Sequence, residues 1–180
     1  MSLAETMGEA STLPPVVVMG VAGCGKSAVG AALARALGAD FIEGDSFHPP
    51  ENVALMAAGT PLTDENRAGW LNTVAGEIAA RTARGAPVVA TCSALKRKYR
   101  DRLRAQNPSL VFVHLTLDRE TAFRRVGMRK GHFMPTSLVE SQFADLEPPS
   151  GDEAALALDA TRLIENLVSE ASSYIRSREK

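Results

Sequence analysis

The chain has 180 residues, with 20 Lys and Arg against 21 Asp and Glu, 45% hydrophobic and 23% charged. These are the proportions of an ordinary globular domain and exclude a disordered or fibrous chain. At this length one compact domain buries roughly 70% of its unfolded surface and needs no disulfide or metal staple. Its two cysteines, Cys24 and Cys92, are too few for a disulfide framework or a zinc site. No apolar run reaches the ~18 residues of a membrane span, and residues 1–14 lack the basic start and continuous apolar stretch of a secretory signal. The expectation is a cytoplasmic protein with no membrane partner: a disordered tail over 1–14, then one domain over 15–180.

Taken in chain order, the pattern alternates between strand and helix. Val16-Val17-Val18-Met19 reads as a short buried strand stopped by Gly20, and an Ala/Leu-rich helix follows over 28–37, ended by Gly38. Phe41-Ile42 makes a second strand that runs out at Glu43-Gly44-Asp45. Pro49-Pro50 opens a helix reaching about residue 58. Thr63 is the N-cap of the next helix, with Trp70, Leu71, Val74 and Ile78 at helical spacing. Further strands are predicted at 88–90, 110–117 and, more weakly, 155–158. Further helices are predicted at 96–106, 119–128, 136–146 and 161–177. Strands alternating with helices give an α/β fold: a five-stranded parallel sheet with helices on both faces.

The near-neutral total hides an asymmetry. Residues 94–132 hold eleven basic residues against three acidic ones, a net of +8 that leaves −9 for the rest of the chain. Such a segment reads either as a surface for an anionic ligand or as solvated helix faces, the second applying above all to 97–104. Nucleic acid is a third reading, weakened by the few aromatics in the segment and by a pI near 6.3.

The strongest signal is Gly20-Val21-Ala22-Gly23-Cys24-Gly25-Lys26-Ser27, a G-x-x-x-x-G-K-[ST] phosphate-binding loop between a strand and a helix. Glycines let successive N–H groups turn toward phosphate oxygens, and the following helix aims its positive end at the same anion. Lys26 is expected at the β- and γ-phosphates and Ser27 on Mg²⁺. The nucleotide-binding set is Gly20, Gly23, Cys24, Gly25, Lys26, Ser27 and Ala28. Two classes remain open on this evidence: a small-molecule kinase using ATP and Mg²⁺, or a nucleotide switch or nucleic-acid-associated motor. The motif of the second class, an apolar strand ending in Asp, is poorly matched. The strand at 88–90 runs into Cys92-Ser93, and the strand at 110–117 reaches Asp118 only past a polar break. A kinase needs an acceptor pocket beside the loop, and Asp45, past the second strand, lies at the carboxyl edge where ligands of such sheets sit.

Five further segments sharpen the reading: Gly44-Asp45-Ser46-Phe47-His48-Pro49, Cys92-Ser93-Ala94-Leu95-Lys96, Tyr99-Arg100-Asp101, Arg129-Lys130-Gly131-His132-Phe133-Met134 and Ser141-Gln142-Phe143-Ala144-Asp145-Leu146-Glu147. Together, and in this order, they resemble gluconate kinase, of the P-loop small-molecule kinase group that includes shikimate kinase. The resemblance implies phosphorylation of D-gluconate at its 6-hydroxyl, a homodimer, a mobile lid over about 124–136 and no nucleic-acid partner. Gly69 precedes Trp70 where the family commonly has Pro, and the match ends near Pro148, leaving adenine contacts unassigned.

Each candidate has a bland alternative. Asp45 resembles the acidic residue that orients the sugar acid and takes the proton of the attacking hydroxyl; otherwise it is a turn or cap residue. His48 either hydrogen-bonds substrate or packs. Arg67 offers a guanidinium fork to a carboxylate; otherwise it is an exposed helix arginine. Lys96, just past the third strand, is expected to face the crevice. Arg125 and Arg129, four apart, share a helix face. Arg125 is assigned to the nucleotide, Arg129 to the transferred phosphoryl group and the substrate, and His132 to the substrate; the alternative is a surface ion-pair helix. Gln142 matches the family with no role derivable from its chemistry.

Overall fold

Four consecutive apolar residues make β1 (Val16–Met19), none more than 1% exposed. A strand buried on both faces has to lie inside a sheet, and β1 does. The chain continues through α1 (Lys26–Leu37), β2 (Asp40–Glu43), a 3₁₀ turn (Gly44–Phe47), α2 (Pro50–Ala57), α3 (Asp64–Ala83), β3 (Val88–Thr91) and α4 (Arg97–Gln106). It ends with β4 (Val111–Thr116), α5 (Arg119–Gly127), α6 (Thr136–Asp145), β5 (Ala155–Asp159) and α7 (Ile164–Arg176). This computed structural model describes residues 10–129 and 135–180. All five strands are parallel, in the order β2-β3-β1-β4-β5. Val17 stands between Ala90 of β3 and Phe112 of β4. α1 and α7 pack together on one side of the sheet, and α3 and α4 pack together on the other.

The expected three-layer architecture is therefore the one observed, with local differences. α7 begins at Ile164 rather than at 161, because the Asp159 carboxylate accepts from the Thr161 N–H (2.9 Å) and hydroxyl (2.7 Å). That local turn withholds residues 160–163 from the helix. Of the stretch expected as a disordered tail, residues 10–14 are seated. The Ser11 N–H donates to Gly85 O, the Thr12 hydroxyl to Glu179, and Leu13 packs on the core.

The basic segment departs furthest from expectation. Arg100 is 1% exposed and its Nε and Nη2 donate to the two carboxylate oxygens of Glu153 at 2.7 and 3.0 Å, while Nη1 donates to the carbonyls of Ala94 and Leu95. Arg104 reaches the same carboxylate and Asp101. Arg97 pairs with Asp152, Arg119 with Glu140, Lys96 with Asp64 and Asp145, and Lys98 with Asp64. Apart from Asp101, these carboxylates lie outside 94–132, in the acidic remainder of the chain. The charge asymmetry along the sequence is largely cancelled by contacts in the fold.

Burial pushes the Glu153 carboxyl up, but the Arg100 guanidinium, the Ser150 N–H and Arg104 outweigh it and bring it down to about 2 from an ordinary 4.5. A depressed carboxyl contributes stability above its unfolded value, lost as pH falls through the folded one. Acid unfolding followed by circular dichroism should therefore include a Glu153 component between about pH 4.5 and 2. Glu153→Gln leaves Arg100 buried without its counter-charge. It should cost about 3–5 kcal/mol in urea unfolding and remove that acid component.

Candidate active site

The phosphate loop leaves β1 at Gly20, whose φ of 147° and close approach to Cys24 Sγ and Leu115 O leave no place for a side chain. Gly25 (φ 90°) turns the chain left-handed into α1. The N–H groups of Gly23, Gly25, Lys26, Ser27 and Ala28 have no acceptor among the described residues. Lys26 Nζ donates to the carbonyls of Gly20 (3.0 Å) and Val21 (3.2 Å), which holds the ammonium against the loop. Ser27 is exposed and faces a crevice of about 110 Å³ that also takes in Asp45, His48, Arg67, Trp70 and Arg129. The crevice lies beyond the carboxyl ends of the strands, where the order changes direction at β1.

The crevice wall facing the phosphate loop is built on the turn after β2. A Cβ on Gly44 would stand 1.9 Å from Thr91 O, so the turn passes β3 with no room for a side chain. The Gly44 N–H donates to Thr91 Oγ1 at 3.2 Å, and the Trp70 indole N–H donates to Gly44 O at 2.8 Å. The turn sends Asp45 outward, its side chain 68% exposed, while His48 folds back and stacks on Trp70 at 4.0 Å and 19°. His48 Nε2 and Asp45 Oδ1 are 3.9 Å apart, too long for a direct hydrogen bond. Burial lowers the His48 pKa; Asp45 opposes that and Arg67 adds to it.

A family model described as an AAA domain matches residues 16–149. The gluconokinase of Gluconobacter oxydans is 44% identical over 147 residues, covering 82% of this chain and 83% of that protein. The chain belongs to the gluconokinase family. It is a kinase. A crystal structure of a gluconokinase from Sinorhizobium meliloti is 44% identical with a TM-score of 0.83, covering 93% of this chain and 94% of that one. Shikimate kinase from Bacteroides thetaiotaomicron shares the fold, at a TM-score of 0.66 and 18% identity, over 91% of this chain and 99% of that one.

The residues expected to form the gluconokinase site divide in three. Lys26, Ser27, Asp45, His48, Arg67 and Arg129 line one crevice. Arg67 is a buried residue, not an exposed helix arginine: its Nη1 donates to Tyr99 Oη (2.9 Å) and Asp145 Oδ2 (3.1 Å). Lys96 stands apart from the crevice wall, its ammonium between Asp64 (3.2 Å) and Asp145 (3.7 Å). Partial burial opposes its charge, but Asp64 and the other anions hold its pKa above the ordinary value. Arg125 donates to Gly23 O (3.3 Å) and Ala160 O (3.1 Å), tying α5 to the back of the loop and to the end of β5. α5 ends at Gly127, so Arg129 lies past the helix and does not share its face with Arg125. His132 falls outside the described residues, as do residues 130, 131, 133 and 134 of the lid expected over about 124–136.

Three residues gain a place that the sequence did not give them. Gln142 Oε1 accepts the Ala22 N–H at 2.7 Å, joining α6 to the phosphate loop. Asp145, at the end of α6, is shared by Arg67 and Lys96. Asn52, 2% exposed in α2, donates to His48 Nδ1 and to Asn66 O. The Gln142 and Asp145 contacts join elements far apart in the chain, whereas Asn52 reaches His48 four residues away and Asn66 O fourteen residues away. Cys92, by contrast, is chemically quiet: burial pushes its thiol up to about 12.

A larger, mostly apolar cavity of about 450 Å³ is lined by residues of 146–151 and of the paired strands β4 and β5. It holds His114, which burial, and then Arg100, push down to about 4, but it lacks the loop's lysine and Asp45. Gly44→Ala should force the turn away from β3. The expected results are a stability loss of about 1–3 kcal/mol in thermal unfolding and a proportionally larger loss of phosphoryl transfer, since Asp45 and His48 move with the turn.

Proposed function

We propose that this chain transfers the γ-phosphoryl group of ATP to the 6-hydroxyl of D-gluconate, giving 6-phospho-D-gluconate and ADP. The observation that carries the reading is one crevice with a phosphate loop on one wall and Asp45, His48 and Arg67 on the other. The family relation supports the sugar acid as acceptor. Homodimerisation, a cytoplasmic location and a closing lid over about 124–136 belong to the same reading and rest on the family resemblance.

Phosphoryl transfer asks mainly for positioning and charge neutralisation. The unpartnered N–H groups of the loop cradle the β- and γ-phosphates, and Lys26 exchanges the Gly20 and Val21 carbonyls for phosphate oxygens. Among the described residues no cluster of three or more His, Cys, Asp or Glu can hold a metal. The exposed Ser27 hydroxyl fits Mg²⁺ instead, an ion that takes few protein ligands and keeps phosphate oxygens and water. Ser27 would hold the ion, which when bound would supply positive charge beside the phosphates. Arg67 binds the gluconate carboxylate through Nε and Nη2, which have no partner among the described residues, while Tyr99 and Asp145 hold Nη1. Asp45, open to the crevice, accepts the proton of the 6-hydroxyl as the bond to phosphorus forms. Arg129, at the mouth of the crevice, meets the negative charge on the phosphoryl group in flight.

A coupled ADP-release assay across sugar acids, shikimate and nucleoside monophosphates should show turnover specific to gluconate; turnover with another acceptor alone overturns the assignment. Asp45→Asn keeps shape but not basicity. It should lower kcat by roughly 10²–10⁴-fold and leave ATP affinity within a few-fold. Loss of ATP binding with gluconate binding retained would instead make Asp45 a metal-shell residue. Lys26→Ala should cut kcat at least roughly 10²-fold without loss of fold. Near-normal activity there would remove the nucleotide site.

A further inference from the structure

Asn52 has no direct view of the reacting groups, yet its side-chain amide is fixed from both sides. Its Nδ2 lies 2.9 Å from Asn66 O, a backbone carbonyl that can only accept. That contact identifies the amide nitrogen without ambiguity of the side-chain flip. Asn66 is itself immobilised: its N–H donates to Thr63 Oγ1 (3.1 Å) and its Oδ1 accepts from the Thr63 N–H (3.0 Å), a reciprocal cap on α3. The second amide hydrogen of Asn52 is then directed at His48 Nδ1, 3.3 Å away. A nitrogen that receives an N–H must offer a lone pair, so the ring proton of neutral His48 sits on Nε2.

We infer that Asn52 is a positioning residue that locks His48 as the neutral Nε2–H tautomer, so that Nε2–H and Asp45 grip the attacking hydroxyl from two sides. The 3.9 Å between Nε2 and Asp45 Oδ1 admits one oxygen in hydrogen-bond reach of both. That oxygen accepts from Nε2–H and donates its proton to Asp45, which leaves a lone pair free for phosphorus. Protonating His48 would set an Nδ1–H against the Asn52 amide hydrogen, donor against donor. Stacking on Trp70 fixes the ring plane, and Asn52 fixes which edge carries the proton. The inference deepens the proposed kinase site and rests on it for the identity of the hydroxyl. The tautomer itself does not depend on the acceptor.

The test is long-range ¹H–¹⁵N correlation of the three histidine rings at neutral pH, with His48→Gln used only to assign the His48 signals. The wild-type protein should show an unprotonated Nδ1 and a protonated Nε2 at His48. An Nδ1–H tautomer or an imidazolium overturns the inference, and this measurement needs no variant of Asn52 to fold. Asn52→Ala should mix the two tautomers and lower kcat about tenfold with KM for ATP unchanged. A folded Asn52→Ala that keeps a pure Nε2–H signal also overturns it, since Asn52 would then only tie α2 to α3. If the tautomer is as stated but gluconate is not turned over, the positioning role stands and the assigned acceptor fails.

Discussion

The crevice wall facing the phosphate loop of this kinase depends on how closely the turn after β2 passes β3. Residue 44 has no space for a Cβ, its N–H is held by Thr91 and its carbonyl by the Trp70 indole. These contacts set the direction in which the chain leaves the sheet. One residue later Asp45 points into the crevice, and four residues later the His48 ring lies flat on Trp70. Because Trp70 belongs to α3, as does Arg67, the same helix that receives the turn also presents the guanidinium. The groups on this wall are thus carried by two elements locked at one point. The turn itself places Asp45 and His48, and Tyr99 and Asp145 hold the long Arg67 side chain.

Charge organises the surroundings of that point. Arg67, Lys96, Lys98 and Tyr99 converge on Asp64 and Asp145, so α3, α4 and the end of α6 are cross-linked by opposite charges beside the crevice. Lys98 and Tyr99, both donating to the Asp64 carboxylate, hold it well below the ordinary carboxylate range. Farther out, the buried Arg100–Glu153 pair fastens α4 to the segment leading into β5. A pair with both members 1% exposed has no solvent to fall back on, so each charge requires the other. Among the described residues the arginine left facing the crevice without a carboxylate within 4.0 Å is Arg129.

The phosphate loop is tied to both α5 and α6. Gln142 of α6 takes the Ala22 N–H and Arg125 of α5 reaches the Gly23 carbonyl. The two helices that border residues 130–134 therefore both grip the loop, one by an acceptor and one by a donor. Both contacts fall on the backbone of the loop itself.

Local chemistry determined much of this protein. The run Val16–Met19, the glycines and Lys26 of the loop, the Thr63 cap and the 3.6-residue spacing of Trp70, Leu71, Val74 and Ile78 depend on neighbours within a few residues, and each is readable without the fold. The parallel sheet follows from their alternation, and six expected crevice residues do line one crevice. Tertiary structure alone decided which charges are free. Arg100 and Arg102 are two residues apart in one helix and identical in type. One is buried on Glu153 and the other donates to Asn72 from the surface, because about 100° of turn per residue sets them about 200° apart. Lys96 was likewise diverted by carboxylates that lie 32 and 49 positions away along the chain. Asn52 lies only four residues from His48, but its amide is oriented by Asn66 O, which α3 brings to it. Contacts of this kind are properties of distance in space, which residue spacing along a chain does not encode.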